Sequence, residues 1–384
     1  MVTKRSYDVI IIGAGSVGTP TAHYLAREGF SVLVIDKNAS VGQGSNKAAI
    51  GGIRATHSNP AKVHLCLESL EEFSSWQHTH GDDIEWIRGG YSFVAYDEDT
   101  KNELLAVVEQ QKPLQTGLVW LSAQELSEVI PALNRQNLLG GTYSPQDGSA
   151  SPLKAIYAFW SAAKINKVRF VFDEEVIQIT QHGDFEVTTT KAQYHSHYLV
   201  NAAGAYATDI GGFFNEPLPV RPNMHEAGVT EPVQRFLNPM IVDMRVVGNS
   251  TNIYFYQHAT GQILFCLTPS PPIWGTKQVE TSQFLPLSAR RILSLLPALE
   301  MVKVRRTWSG LYPMTPDGSP LLGWSQKVDN YFIAAGMCGQ GFMLGPGIGK
   351  LIARVLAKDS TKTDETILEQ LSPYRSFTGG ESLE

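Results

Sequence analysis

The sequence has few of the features that define membrane, disulfide-rich or nucleic-acid-binding proteins. Its three cysteines, Cys66, Cys266 and Cys338, lie far apart and form neither a disulfide framework nor the spacing of metal ligands. Apolar runs such as residues 9–12 and 32–35 fall far short of the roughly 18 residues that predict a membrane-spanning helix. Lysines and arginines are scattered and the net charge is −6, which argues against a nucleic-acid-binding surface.

What remains is the composition of an ordinary soluble globular protein. The chain has 384 residues, of which 43% are hydrophobic and 18% are charged, and this is enough for two domains with full cores. Residues 1–6 are mostly polar and leave no room for a signal peptide before the first apolar run. We therefore expect a cytoplasmic protein.

The most informative segment is a dinucleotide-binding fingerprint near the N terminus. An apolar run at 9–12 is followed by GAGSVG at 13–18, a helical pattern to residue 28, a second apolar run and then Asp36. In such a βαβ unit Gly13 permits a tight turn, Gly15 lets the backbone approach a pyrophosphate, and Gly18 lets helix and strand pack closely. Asp36 lies where an acid would bind the hydroxyl pair of a ribose.

Later patterns indicate that the chain leaves this unit and returns to it. A glycine-rich loop at 42–54 suggests close approach to a ligand, and a helical pattern follows at 60–78. Strand patterns at 169–172 and 198–203, the second ending in a tight glycine turn, belong to the nucleotide-binding unit again. From 218 to 274 strand patterns dominate, which predicts a mainly antiparallel sheet with one face exposed to solvent.

Helical patterns account for much of the remaining chain. We expect helices at 101–111, 122–129, 288–296 and 348–357, with a glycine-rich loop before the last of them. The tail after Phe377 reads as a disordered segment.

Four segments together resemble the D-amino-acid oxidase superfamily of FAD-dependent oxidoreductases. They are the fingerprint, GGIR at 51–54, VNAAGA at 200–205, and the pair WSGLYPMTPDGSP at 308–320 and GQGFMLGPG at 339–347. The resemblance covers nearly the whole chain and is strongest to the sarcosine oxidase, glycine oxidase and dye-linked L-proline dehydrogenase branch.

The resemblance implies an α/β protein with two domains built from discontinuous segments. A Rossmann-like FAD-binding domain would comprise residues 1–82, 143–215 and 305–384. A mixed, largely antiparallel sheet in residues 83–142 and 216–304 would form the substrate domain.

The resemblance also implies which residues bind FAD. They are Gly13, Gly15, Ser16, Val17, Gly18, Asp36, Lys37, Gly44, Ser45, Asn46, Gly51, Gly52, Val176, Ala202, Ala203, Gly204, Gly310, Gly339, Gln340, Gly341, Phe342 and Met343. Sarcosine oxidases attach flavin through a cysteine just before the TPD segment, where this chain has Gly310-Leu311-Tyr312. We therefore predict that FAD is bound without a covalent link.

Arg54 is the residue that we expect to recognise substrate. It matches an arginine that pairs with the substrate carboxylate in sarcosine oxidases, and its guanidinium fork suits a planar carboxylate. An ion pair at the surface or a contact to a flavin phosphate is the alternative role. Tyr254, Tyr256 and Tyr312 are candidate pocket walls or hydroxyl donors, and packing aromatics are the alternative for each.

Departures from the sarcosine oxidase pattern bear on the reaction. Met343 replaces a lysine that binds the substrate carboxylate, and no lysine occurs at 261–264, where the oxygen-activating lysine of those oxidases would fall. We therefore expect a dehydrogenase that oxidises the C–N bond of a small, secondary amino acid such as proline or sarcosine to an imine. A quinone or a dye would be the acceptor, and His57, His225 and His258 need not be catalytic.

Three alternatives stay open at this point. The chain could be an oxidase that uses oxygen and acts on glycine, sarcosine or an opine. It could be a catalytic or flavin-holding subunit that needs a partner chain. An NAD-dependent dehydrogenase is disfavoured by the glycine-rich loop near the C terminus. No metal and no nucleic acid is implied.

Overall fold

Two eight-stranded sheets organise the part of the chain that our computed structural model describes, residues 6–383. The strands, in chain order, are β1 (Ser6–Ile12), β2 (Val32–Ile35), β3 (Gly52–Ile53), β4 (Tyr91–Ala95), β5 (Val119–Ser122), β6 (Gly140–Tyr143), β7 (Gly148–Ser149), β8 (Arg169–Val171), β9 (Val176–His182), β10 (Asp184–Thr189), β11 (Gln193–Asn201), β12 (Arg221–Thr230), β13 (Met240–Asp243), β14 (Ser250–Gln257), β15 (Ile263–Pro269), β16 (Val304–Met314), β17 (Leu321–Trp324) and β18 (Tyr331–Ala335). The helices are α1 (Gly18–Arg27), α2 (Pro60–His80), α3 (Glu98–Gln111), α4 (Ala123–Val129), α5 (Pro152–Ile165), α6 (Ala207–Gly212), α7 (Phe284–Leu295), α8 (Gly341–Leu356) and α9 (Lys362–Gln370).

The first sheet has β1 near its centre. Its main path runs β17-β18-β11-β1-β2-β8, and the β9–β10 hairpin joins it through β11. β1 is parallel to both β2 and β11. Helices cover both faces of such a sheet, so its strands are apolar without alternation; Val9, Ile10 and Ile11 are fully buried. The predicted βαβ unit is confirmed, with α1 between β1 and β2.

The second sheet is largely antiparallel, as expected, and runs β16-β12-β15-β14-β13-β4-β6-β5. The expected solvent-exposed face is wrong for its central strands, since β13 and β14 have no exposed position and their two faces pack into separate core clusters. Its parallel pair is β13 with β4. The strands of residues 83–142 and those of residues 216–304 therefore belong to the same sheet. β16 is hydrogen-bonded to β12 along most of its length, although the proposed boundary at residue 305 assigns it to the FAD-binding domain.

The last long helix differs from its predicted form. We expected a glycine-rich loop and then a helix at 348–357, whereas α8 is Gly341–Leu356 and contains Pro346. The glycines permit close packing that offsets their low helix propensity. A Cβ on Gly345 would lie 1.8 Å from the Ser16 carbonyl oxygen, and one on Gly347 would lie 2.1 Å from the Leu65 carbonyl oxygen.

Two other helices differ from the prediction only in where they begin or end. α7 begins at Phe284 rather than residue 288, and α2 continues to His80, where Gly81 ends it in a left-handed conformation. Within residues 6–383 no helix is long and apolar enough to cross a membrane. The same residues contain no group of three or more His, Cys, Asp and Glu side chains arranged to hold a metal.

The expected disorder of the tail is wrong. Glu381 is 7% exposed, and Leu383 is fully buried within a core cluster that also contains Phe93 and Leu104. The composition GGESLE suggests a solvated segment, but Lys62 of α2 provides a buried ion-pair partner 2.7 Å from Glu381. A local reading of the sequence cannot detect that contact.

The packing of α8 against the fingerprint loop can be tested by Gly345→Ala. The added methyl group would collide with the Ser16 carbonyl oxygen, 1.8 Å away, and overpacking of this kind costs about 1–3 kcal/mol of unfolding free energy. Gly212→Ala is the control, since a Cβ there meets no atom within 4 Å. Chemical denaturation should show a loss for the first variant alone. Equal stabilities for the two variants would contradict the described packing.

Candidate functional site

A cavity of about 640 Å³ is lined by residues of both sheets. On one side it meets the carboxyl ends of β1, β2 and β11, through Ile12, Ile35 and Ala202. This is the edge of a parallel sheet at which nucleotides bind. On the other side it meets β12, β13 and β14 of the second sheet.

Close backbone contacts shape the nucleotide end of the cavity. Gly13 has φ +108°, and a Cβ there would lie 2.4 Å from the Ala202 carbonyl oxygen. A Cβ on Gly18 would lie 2.0 Å from the Gly13 carbonyl oxygen, whereas one on Gly15 would meet no atom within 4 Å. Gly13 and Gly18 therefore hold the turn together, and Gly15 faces open space beside the N terminus of α1.

The carboxylate of Asp36 fastens two loops at this end. It accepts hydrogen bonds from the Ala14 N–H (2.7 Å) and from both the N–H and the amide of Asn38 (2.8 Å each). Asp36 also lines the cavity, next to Lys37. The Lys37 ammonium lies 3.2 Å from the centre of the Tyr206 ring.

The N terminus of α8 provides a second set of donors. Gly341, Phe342 and Met343, in its first turn, line the cavity, and the first N–H groups of a helix have no partner within it. The Asn46 Oδ1 and Gln340 Oε1 atoms are buried without a hydrogen-bond partner, and both residues line the cavity. Two helix N termini and these unsatisfied groups fit a bound flavin dinucleotide.

Arg54 lies at the other end of the cavity and is 5% exposed. Its Nη1 donates to the Thr56 carbonyl oxygen and lies 3.1 Å from His57 Nδ1, and its Nη2 donates to the Leu383 carbonyl oxygen (2.6 Å). Its guanidinium carbon lies 5.1 Å from the centre of the Phe93 ring. Burial beside this guanidinium holds the pKa of His57 well below its usual value, so that the neutral imidazole accepts the hydrogen bond.

An aromatic group lies near Arg54 on the wall of the cavity. The Tyr254 and Tyr312 hydroxyls are hydrogen-bonded to each other. The Tyr312 ring stacks on His225, with centres 3.8 Å apart and planes 14° from parallel. Burial lowers the pKa of His225 to about 3, so its imidazole is neutral, and its Nδ1 has no hydrogen-bond partner.

The cavity brings together nearly all of the predicted site residues. The two that do not line it are Gly18, which packs the turn, and Tyr256, which is buried in the core cluster of Phe93 and Val242. Tyr256 is therefore a packing aromatic, the alternative considered above. Lining residues that sequence reasoning did not assign to the site include Asn38, Gln43, Tyr91, Phe93, His225, Asn252, Cys266, Thr268, Gln278 and Met337.

The position suggested for an oxygen-activating lysine also needs correction. Ile263 is fully buried in a core cluster with Phe255 and Phe265, away from the cavity. Cys266 and Thr268, on the opposite face of β15, line the cavity instead. Side chains alternate along a strand, and spacing in the sequence alone does not reveal which face meets the ligand.

The fold and the cavity define a flavin-dependent oxidoreductase. Residues 8–355 match the family described as FAD dependent oxidoreductase, and the chain belongs to that family.

Comparison with individual proteins gives similarity over at least 93% of this chain at modest identity. The chain is 26% identical to hydrogen cyanide synthase subunit HcnC of Pseudomonas aeruginosa, covering 94% of this chain and 95% of that protein. It is 24% identical to mitochondrial sarcosine dehydrogenase of Mus musculus, of which it covers only 40%. The crystal structure of L-proline dehydrogenase from P. horikoshii superposes with a TM-score of 0.90 at 28% identity, covering 97% of this chain and 98% of that chain.

The prediction that FAD is bound without a covalent link can be tested directly. Residues 310–312 carry no cysteine, and Gly310 instead lies where a Cβ would be 2.5 Å from the Ala48 Cβ. Acid precipitation of the purified yellow protein should therefore release all of its FAD into the supernatant, as measured by absorbance. Flavin that stays with the precipitated chain would refute the prediction.

Proposed function

We propose that this chain oxidises the C–N bond of a small amino acid to an imine, and that secondary amino acids such as proline or sarcosine are its substrates. The observation that carries the proposal is the buried guanidinium of Arg54 at the end of the cavity opposite the nucleotide loops. A ligand that brings a carboxylate would neutralise it.

The charge around Arg54 supports a carboxylate ligand. Among residues 6–383 no carboxylate lies within ion-pair distance of Arg54, and its described partners are all neutral: two carbonyl oxygens, the imidazole of His57 and the side chain of Tyr91. Glu381 is paired with Lys62, and burial raises the pKa of Asp147 to about 7. A buried charge without a partner is costly, and the guanidinium has N–H bonds left with which to bind a carboxylate.

The groups facing such a ligand suit a neutral amine. Bound FAD would supply the two-electron acceptor that takes a hydride from the carbon next to nitrogen. Tyr254 and Tyr312 would orient the substrate with their hydroxyls, and the stacked His225 holds the Tyr312 ring in place. His225 itself is not placed to take a proton from the amine. Its Nε2 lies 3.1 Å from the Asn223 amide nitrogen, and the Asn223 amide oxygen accepts from the Ile273 N–H, so the neutral ring accepts at Nε2 and carries its own proton on Nδ1. Phe93 and Val242 give the pocket an apolar wall.

The names of related proteins agree with this substrate class. Proline and sarcosine are both secondary amino acids, and each appears in the name of a protein described above. With its carboxylate bound by Arg54, such an amino acid would present its amine carbon to a flavin held by Gly341, Phe342 and Met343, which line the same cavity.

A second candidate is a flavin-holding subunit of a larger complex. HcnC is named as a subunit, and α5 of this chain exposes Leu153 and Tyr157, one turn apart, by 55% and 61%. Exposed apolar groups of this kind suit a protein interface. Substrate-dependent flavin reduction by the chain purified alone, at a rate equal to that of the co-purified complex, would exclude a need for the partner.

Substitution of Arg54 tests the proposed substrate contact. Loss of a desolvated arginine–carboxylate pair costs about 2–5 kcal/mol, so Arg54→Ala should strongly raise KM for proline or sarcosine while FAD content stays the same. Arg54→Lys should recover little, because an ammonium cannot reproduce the fork. The control is Arg306→Ala, an exposed site on β16. Steady-state kinetics and flavin absorbance decide, and parallel loss of FAD in the alanine variant would reassign Arg54 to the cofactor.

Substitution of Lys47 tests whether the protein passes electrons to oxygen or to a dye. The lysines that line the described cavity are Lys37, stacked on Tyr206, and Lys47. A fixed cation stabilises the negative charge that develops on oxygen during its reduction. Because Lys47 is the one candidate for this cation among the lysines that line the described cavity, we expect dye reduction to be faster than peroxide formation. Lys47→Met should lower the residual peroxide rate and spare dye reduction, whereas Lys277→Met, outside the cavity, should change neither. Peroxide formation by the unmodified protein as fast as dye reduction would restore the oxidase.

A further inference from the structure

The C-terminal segment 381–383 lies behind the substrate end of the cavity and contacts Arg54. The Leu383 carbonyl oxygen accepts a 2.6 Å hydrogen bond from Arg54 Nη2. The Leu383 side chain is fully buried in the cluster that contains Tyr91 and Phe93, two residues of the cavity wall. The segment does not itself line the cavity, so it touches the guanidinium from the protein side.

Glu381 fixes this segment to the body of the protein. Its carboxylate lies 2.7 Å from the Lys62 ammonium, and both side chains are fully buried. The same carboxylate accepts hydrogen bonds from the Ser58 N–H (2.8 Å) and the Ser58 hydroxyl (2.7 Å). The Glu381 N–H donates to the Asp317 carbonyl oxygen (3.0 Å).

The loop at 56–58 connects these contacts to the other side of the guanidinium. Thr56 and His57 hold Arg54 Nη1, and the next residue, Ser58, is bound to Glu381. Gln111 secures the loop from α3 by donating to the His57 carbonyl oxygen (2.8 Å). Glu381 therefore contacts both sides of the guanidinium: it lies two residues from Leu383, which binds Nη2, and it binds Ser58, the residue next to the pair that holds Nη1.

We propose that Glu381 and Leu383 are positioning residues for Arg54: the Lys62–Glu381 pair anchors the C-terminal segment, and the Leu383 carbonyl oxygen fixes the guanidinium for a ligand carboxylate. The inference rests on the proposed function, since it assigns the segment a role in carboxylate recognition. A long flexible side chain loses much rotational freedom on binding. Two fixed acceptors on its protein side would restrict it before the ligand arrives.

The test compares binding of a carboxylate with binding of its neutral amide. Furan-2-carboxylate and furan-2-carboxamide are titrated into the FAD-loaded protein, and the change in flavin absorbance gives each Kd. The variants are a chain shortened to end at Gly380, the charge-free pair Lys62→Met/Glu381→Gln, and Arg54→Ala. Ser382→Ala is the matched control, because its main-chain bond to Ser58 is kept.

Misplacement of a binding group by about 1 Å costs up to the order of a hundredfold, so we expect the shortened chain and the double variant to raise the carboxylate Kd on the order of tenfold. The amide Kd and FAD content should stay unchanged, and Ser382→Ala should resemble the unmodified protein. If the shortened chain does not fold, the double variant decides by the same criterion.

Three results would overturn the proposal in distinguishable ways. An unchanged carboxylate Kd in both tail variants, with a large rise in Arg54→Ala, would leave the proposed function standing and remove the tail's role. An equal rise in both Kd values, or loss of FAD, would show that the tail acts on the fold as a whole. An unchanged carboxylate Kd in Arg54→Ala would refute the proposed function and the inference together.

Discussion

Among residues 6–383, the buried guanidinium of Arg54 has only neutral hydrogen-bond partners, and the proposed substrate end of the cavity is built around it. Arg54 is held by two main-chain carbonyl oxygens and the neutral ring of His57, and these groups direct the side chain without cancelling its charge. A carboxylate in their place would have produced an internal ion pair. Under the proposed function, the energetic cost of burying this guanidinium without an anionic partner favours the binding of a ligand that carries a carboxylate.

The shape of the nucleotide end of the cavity depends on close contacts between backbone segments rather than on charge. Gly13 and Gly18 fold the fingerprint turn against itself and against Ala202, and Gly345 brings α8 onto the carbonyl oxygen of Ser16. The N termini of α1 and α8 therefore reach the same cavity. Donors fixed in this way need no reorganisation when a cofactor with phosphate and flavin groups binds.

Local sequence patterns predicted the helices and strands whose apolar periodicity agrees with the positions of the turn residues at their ends. The run at 9–12, the glycines that follow and Asp36 identify the first βαβ unit because each has a local physical reason. α8 was predicted too short because Gly345, Pro346 and Gly347 lower helix propensity, and only contacts with other parts of the chain offset that loss. Tyr254 and Tyr256 have the same residue type and lie on the same face of β14, yet the first lines the cavity and the second does not.

The sequence by itself determined the nucleotide turn, since a motif made of adjacent residues carries its own geometry. The resemblance of its motifs to a known family indicated the flavin and the candidate arginine. The tertiary structure decided what surrounds that arginine. Glu381 and Leu383 are more than 300 residues from Arg54, and no periodicity relates them, because their contacts arise from burial of an ion pair with Lys62. The tertiary structure also decided that Cys266 and Thr268, rather than Ile263, face the cavity. The packing of the whole sheet selects which face of each strand is buried in the core.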